Sequence, residues 1–377
     1  MKQKNPVLKK LKTRHILKLT VKTVLGLLNL DAGPNAVYSG KQLLHHILSA
    51  CISQTSVSQV SEFNSLAPSE GTIRDRLKGL ELAEVQKKAN LMLKKRVLRT
   101  LPMMPLKFAI DFNEIPFYGE EATEGDTCKS RAKSGTTRFF VYATIYVIQR
   151  NKRYTLAVKY VRKGELLTDV IDFLLDEATG MGLRVKALFL DREFYTIDVI
   201  NHLQEMDIPF IMPCVKRGRS GGIRNLFVSR KSHTTTYTMN SGDKQATFQT
   251  HVVVKYSKDK YKRKGARHFA YAVYAVDVPV HRTFQEYRKR FGVESSYKLK
   301  NLALPCTSTK NPVLRLLYVG LAFLLVNVWV YVQWMFLSER RRGGRRPVRW
   351  PFKTMLRQLL RILDDLLGFM GDMPSAA

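Results

Sequence analysis

The sequence predicts an α/β protein: a mixed five-stranded sheet with flanking helices, an N-terminal helical region and a β-rich insertion. Three observations predict it. Apolar residues keep helical spacing through roughly the first hundred positions, then switch at 106 to two-residue alternation and short apolar runs. Strand-like and helix-like segments alternate from there to 215. A Thr- and Tyr-rich stretch with basic loops then interrupts the alternation between 216 and 282.

Residues 1–104 read as a helical DNA-binding region. Eight basic residues and no acid lie between Lys2 and Lys22, and the apolar positions there are broken by Lys18 and Lys22, unlike a signal peptide. KQLLHHILSACISQ (41–54) has helical spacing, and 68–98 supplies one or two more helices. Ser69, followed by Thr72, Arg74 and Arg76, opens a helix that suits either a DNA-facing role or a solvated surface. His45, His46 and His281 read as core or surface histidines rather than ligands.

Next come LKFAIDF (106–112), FFVYATIYVI (139–148) and YTLAVKYV (154–161) as strands, then LLTDVIDFLLDEATG (166–180) as a helix stopped by Gly180 and Gly182. RVKALFLD (184–191) is a strand, YTIDVINHLQEM (195–206) a helix and PFIMPCV (209–215) a strand. Strand, strand, strand, helix, strand, helix, strand is the order of an RNase H-like fold, with 105–215 as its first part and 283–338 as its second. In the insertion, 216–231 carries six basic residues and no acid, and 255–267 carries seven against one. Such runs with interleaved Tyr and Phe suit phosphate contact and base stacking as well as plain solvation. The candidate DNA contacts here are Lys216, Arg217, Arg219, Lys262, Arg263 and Lys264.

From Leu316 to Leu337 there is no charge in 22 residues, followed by Arg340, Arg341 and Arg342. Length and flank fit a membrane span; Asn327 and Gln333, and the absence of a second such stretch, fit a helix buried in a large core. Trp329 and Trp334 read as core. Residues 339–377 form a basic C-terminal helical tail, whose 339–346 arginines suit DNA contact or a solvated linker.

The charge balance narrows the function. Sixty-three Lys and Arg against 31 Asp and Glu give a formal charge of +32. That excess disfavours the compact state by self-repulsion unless a polyanion shares the surface. Nucleic acid is the first candidate and an anionic membrane face the second. Cys51, Cys128, Cys214 and Cys306 form no CxxC pair, so there is no zinc ribbon or disulfide framework, and a cytoplasmic setting is expected.

Asp111 and Asp191 each close a strand, and strands one and four would be neighbours. Carboxylates brought together resist ionising side by side, and a hard divalent cation, Mg²⁺ or Mn²⁺, resolves that. Two such ions serve in-line phosphoryl transfer. On a helix, Tyr287, Arg290, Glu294 and Lys298 fall within one stripe. The stripe is either a surface ladder of ion pairs or a site in which Glu294 meets metal and its cations meet phosphate. Glu114 reads as a turn residue before Pro116 or as a supporting carboxylate, and Glu193 is similarly ambiguous. Arg192 suits a phosphate or its acidic neighbours.

AIDFNEIPFYG (109–119), LFLDREFYT (188–196) and YRKRFGVESSYK (287–298) together resemble the DDE transposases of prokaryotic insertion sequences, in the group with a Tyr-x2-Arg-x3-Glu-x6-Lys signature. The resemblance covers roughly 105–335. It implies Asp111, Asp191 and Glu294 as metal-holding catalytic residues with two Mg²⁺ ions, and Tyr287, Arg290 and Lys298 on DNA. The family's lysine falls at Asn301; Lys298 lies one turn earlier on the same face, and Lys300 points away. It also implies a β-rich insertion between Asp191 and Glu294, a buried rather than membrane-spanning 316–337, terminal inverted repeats and target DNA as partners, and a homodimer on DNA. The rivals are a related nuclease or inactive DNA-binding relative, an architectural DNA-binding protein, and a basic membrane-anchored protein.

Overall fold

The computed structural model describes residues 12–26, 28, 30, 36–95, 97–149, 153–258, 264–337 and 348–369. Five helices come first: α1 (Thr13–Leu25), α2 (Gly40–Ser53), α3 (Val57–Phe63), α4 (Glu70–Leu77) and α5 (Leu82–Lys94). Their starts are written locally. Ser39 with Gln42 and Ser56 with Gln59 form reciprocal capping boxes, and the Ser69 hydroxyl caps α4. Arg74 of α4 is paired with Glu70. His45 and His46 are buried in α2, and burial holds both rings below the usual histidine range, His45 at about 4.

The sheet strands follow: β1 (Leu106–Pro116), β2 (Cys128–Lys133), β3 (Thr136–Val147), β4 (Thr155–Val161), β5 (Val185–Phe189) and β6 (Phe210–Pro213). Helix α6 (Leu167–Thr179) joins β4 to β5, and α7 (Ile197–Glu205) joins β5 to β6. β3 lies between β1 and β4, antiparallel to both; β5 runs parallel to β1, and β6 parallel to β5. β2 is an additional strand that the alternation did not reveal. It folds back on β3 through a two-residue turn, Ser134 at φ 52° and Gly135 at φ 78°, the left-handed pair that a tight hairpin needs.

The expected five-stranded sheet is larger than that. β7 (His233–Ser241), β8 (Lys244–Lys258) and β9 (Lys264–Tyr274) extend it, because β9 pairs antiparallel with β6 and β8 with both β9 and β7. The result is one nine-stranded sheet. Without β9, the four-residue β6 would leave its outer backbone groups unpaired. Lys262 and Arg263 lie outside the described residues, as does the 339–346 run.

Helices α8 (Val280–Arg288) and α9 (Gly292–Asn301) are separated by a 3₁₀ turn over Lys289–Phe291. Then come α10 (Pro312–Val332), opened by an Asn311 cap and Pro312, and α11 (Phe352–Leu367), closed by Gly368 in the left-handed conformation. α10 is the apolar stretch long enough to span a membrane, and 83% of its most apolar window is buried inside the protein. Its polar residues explain the packing. Asn327 accepts from Thr155 N at 3.2 Å and donates to Thr155 O at 2.8 Å, which satisfies the outer edge of β4. From α5, Asn90 accepts from Val158 N at 2.9 Å and Gln86 from Tyr160 N at 2.9 Å, along the same edge. The α1–α5 region therefore shares its core with α10 and the sheet, in one cluster running from Ile16 to Leu363.

Candidate active site

Asp111 and Asp191 meet because of strand register. Ala109 of β1 stands beside Phe189 of β5 in a parallel pair, so two residues further on both chains present an aspartate at the same end of the sheet. Asp111 is held by its own strand: Phe112 N donates to its Oδ1 at 3.1 Å, and Tyr297 Oη donates to its carbonyl at 2.9 Å. Asp191 caps the short turn after β5, accepting from Arg192 N at 2.7 Å. Asp111 is nearly buried, whereas the Asp191 side chain is 35% exposed.

Between them sits Arg290. Its Nη1 lies 3.0 Å from Asp111 Oδ2 and its Nη2 3.5 Å from Asp191 Oδ1. The guanidinium is buried, lies over the rings of Tyr287 and Phe291, and leaves its Nε and Nη1 without a well-directed hydrogen bond. One cation faces two carboxylates, and burial adds to their mutual repulsion. Burial first, then the neighbouring Asp191 and Glu193, push the Asp111 carboxyl up to about 7 against the pull of Arg290. Burial works to lower the Arg290 pKa, but Tyr287, Asp111, Asp191 and Glu294 together raise it.

Further acids stand close by. Glu193 is raised by burial and by Glu114 and Asp191. Glu114, read from sequence as a turn residue or a supporting carboxylate, lies within β1 rather than in a turn, and it pairs with Lys133 of β2. Pro116 does not end the strand before it, because Pro116 itself stands opposite Phe139 in the ladder.

The helical stripe is where the geometry departs from expectation. Tyr287 is buried, its hydroxyl donating to Leu190 O at 3.0 Å, and Arg290 is buried on the aspartates. Glu294 and Lys298 are exposed. The 3₁₀ turn at Lys289–Phe291 adds roughly 60° to the stripe, which sets Glu294 at its exposed margin while it still acts on Arg290. Tyr287 and Arg290 are thus placed as internal supports rather than on a phosphate-facing surface. Among the described residues, no group of three His, Cys, Asp or Glu side chains is arranged to hold a metal ion.

Lys300 also departs from expectation. It is fully buried, with its Nζ 2.9 Å from Asn113 Oδ1, two residues beyond Asp111 on β1. Burial pushes its ammonium down to about 7. Thus α9 grips β1 twice, through Tyr297 at Asp111 and Lys300 at Asn113. Helical angle placed Lys300 away from Glu294, and only the packing reveals that this direction is the core.

On the insertion side of the pair, Arg192, Lys216, Arg217 and Arg219 are exposed. Lys216 donates to His268 O at 2.7 Å and lies over the Phe227 ring; burial, then Arg224 and Arg192, lower its pKa. Lys264 opens β9, but its side chain lies outside the described residues.

No family model matches the chain, and no curated protein matches it. Among solved structures, it is similar to the piggyBac transposase, as seen in a cryo-EM synaptic complex with hairpin DNA. The TM-score is 0.57 at 12% identity, with 95% of this chain and 81% of that one covered. At that identity the likeness is one of fold: this chain shares the mixed α/β architecture of that transposase across nearly its whole length.

Proposed function

We propose that this chain is a DNA transposase of the RNase H-like, DDE type, which cleaves DNA at the ends of a mobile element and joins them to target DNA. The observation that carries the reading is the convergence of Asp111 and Asp191 from adjacent parallel strands onto one site. It is supported by the strand order β4-β3-β1-β5-β6, by the fold likeness to the piggyBac transposase, and by the +32 charge. The motif likeness to insertion-sequence transposases points to a prokaryotic element, acting as a homodimer on its terminal inverted repeats.

The donor set fits a divalent cation. Two hard carboxylates share a site, and a guanidinium only partly offsets them. Asp111 and Asp191 would hold Mg²⁺ or Mn²⁺, with exposed Glu294 as the candidate third carboxylate. When bound, such ions activate an attacking oxygen and offset charge on the leaving one. In the proposed reaction, water attacks the phosphodiester at the element's end and the departing 3′ oxygen leaves as a hydroxyl. That 3′-hydroxyl then attacks a phosphodiester of the target, breaking its P–O3′ bond and releasing the target's 3′ oxygen as a hydroxyl. The protein's share is positioning: Tyr297 and Lys300 fix β1, and the cations around Lys216 hold the strand.

The test is incubation of the purified protein with Mg²⁺ and DNA carrying the flanking inverted repeats. End cleavage is expected for the wild type, and Asp111→Asn should lose it while keeping DNA affinity. If Asp111→Asn nicked DNA as well as the wild type, the site assignment would be wrong. One observation favours a second reading, an inactive DNA-binding relative: Glu294 stands exposed, outside any three-carboxylate group among the described residues. That reading predicts binding without Mg²⁺-dependent cleavage on any end sequence.

A further inference from the structure

We propose that the β2–β3 hairpin is a second DNA-phosphate site, forming the wall of the active site opposite the insertion. The carboxylate pair sits on β1 and β5. In the sheet order, β6 and β9 lie on one side of that pair, with β3 and β2 on the other. The basic surface around Lys216 belongs to the first side. The segment 128–138, CKSRAKSGTTR, holds Lys129, Arg131, Lys133 and Arg138 and no acid, and all four side chains are exposed.

A charged edge strand has an ordinary explanation, protection against edge-to-edge pairing. Two features exceed it. First, Lys129 stands directly opposite Arg138 in the β2–β3 ladder. Like charges at directly opposed positions destabilise a sheet, and a bound anion removes that cost. Second, the hairpin borders an open cleft of about 680 Å³, with Phe117, Tyr118, Thr137 and Arg138 among its lining residues. Lys133 ties this cleft to the active site, since it pairs with Glu114, which lies near Glu193 and through it Asp191.

The neighbouring acids are engaged elsewhere. Glu121, which lies near Arg138, accepts from Thr127 Oγ1 and from Gly125 N. Asp126 faces Arg162 at 3.7 Å and Glu124 faces Lys163 at 3.9 Å. Glu120 and Arg138 both line the cleft, with Lys129 and Arg131 outside its lining. Glu120 makes no ion pair among the described residues, and it is one carboxylate against the hairpin's three cations. Lys129 and Arg131 of β2 and Arg138 of β3 thus present a cationic surface with no ion pair among the described residues. The choice of DNA as the ligand rests on the proposed function; the cationic surface does not.

The test is duplex DNA binding as a function of salt. Each phosphate neutralised contributes about 0.9 to the slope of log affinity against log salt. The variant Lys129→Ala/Arg131→Ala/Arg138→Ala should lose about two to three units of that slope, with weaker binding at low salt. It should fold, because the three side chains are exposed, and a melting curve checks this. A control variant removes three exposed cations of α11, Lys353, Arg357 and Arg361. An unchanged slope in the hairpin variant overturns the proposal, and so does an equal fall in the α11 variant, which would report overall charge alone. End cleavage is read separately. A wild type that binds with the hairpin-dependent slope but never cleaves keeps this wall and removes the catalytic reading.

Discussion

Arg290 reaches Asp111 across 3.0 Å and Asp191 across 3.5 Å, so a single side chain from the turn before α9 bridges the ends of two parallel strands. A guanidinium in that place does part of what a divalent cation would do. Arg290→Met should therefore destabilise the protein by about 3–5 kcal/mol, the cost of leaving a buried partner charge uncompensated. Mg²⁺ should then raise the melting temperature of the variant more than that of the wild type. Equal Mg²⁺ effects on both would show that the carboxylates do not compete for the two cations.

Lys300 predicts a pH dependence of stability. Its folded pKa, about 7, lies well below the unfolded lysine value, so between pH 7 and about 10 the unfolded chain binds more protons. Stability from this group is lowest below pH 7 and rises with pH through that window, by up to about 1.4 kcal/mol per pH unit. Lys300→Met should flatten the rise in urea-unfolding free energy measured from pH 7 to 9. A slope identical to wild type would mean that Lys300 is not buried as its 2.9 Å bond to Asn113 implies.

Asn327 tests the role of α10. Its amide satisfies both Thr155 backbone groups at the edge of β4, so Asn327→Leu leaves buried donors and acceptors unmatched. The expected loss is about 2–4 kcal/mol, read as a lower urea midpoint. A helix that sat in lipid would instead gain from losing the amide, so a stabilised variant would argue against the packing described.

Tyr297 holds Asp111 by its backbone and also meets Thr144 Oγ1 at 2.6 Å. Tyr297→Phe should cost about 1–3 kcal/mol, because two buried groups lose a partner. End cleavage should fall further than DNA affinity, since the ring hydroxyl sets the strand that carries Asp111 rather than any DNA contact. A parallel fall in both would point to general loosening.

Much of the sheet was legible because its strands are long apolar runs bounded by turn residues: 139–148, 154–161 and 184–191 all emerge as strands within a few residues. β2 was not legible, because CKSRAK carries no apolar alternation and its pairing comes from β3; the Ser134-Gly135 dipeptide was the available signal. The two aspartates could be placed from strand ends, since parallel register dictates their meeting. The Tyr287–Lys298 stripe was legible as spacing, but which of its members would be buried was not: Tyr287 and Arg290 pack inside, whereas Glu294 and Lys298 are exposed. No proline marks the 3₁₀ turn at Lys289–Phe291 that sets their directions. Lys300 was misjudged in the same way. Its direction was read correctly relative to Tyr287, but sequence does not say which side of α9 meets β1.

The pairing of Phe210 through Pro213 with Tyr274 through Tyr271 gives the insertion no hinge of its own. Strands β7 to β9 are continuous with the strands that carry the aspartates, so they cannot swing over the site as a lid on a linker. Any pull on those strands would enter the core through the four-residue Phe210–Pro213 ladder and pass from β6 to β5, the strand that leads to Asp191.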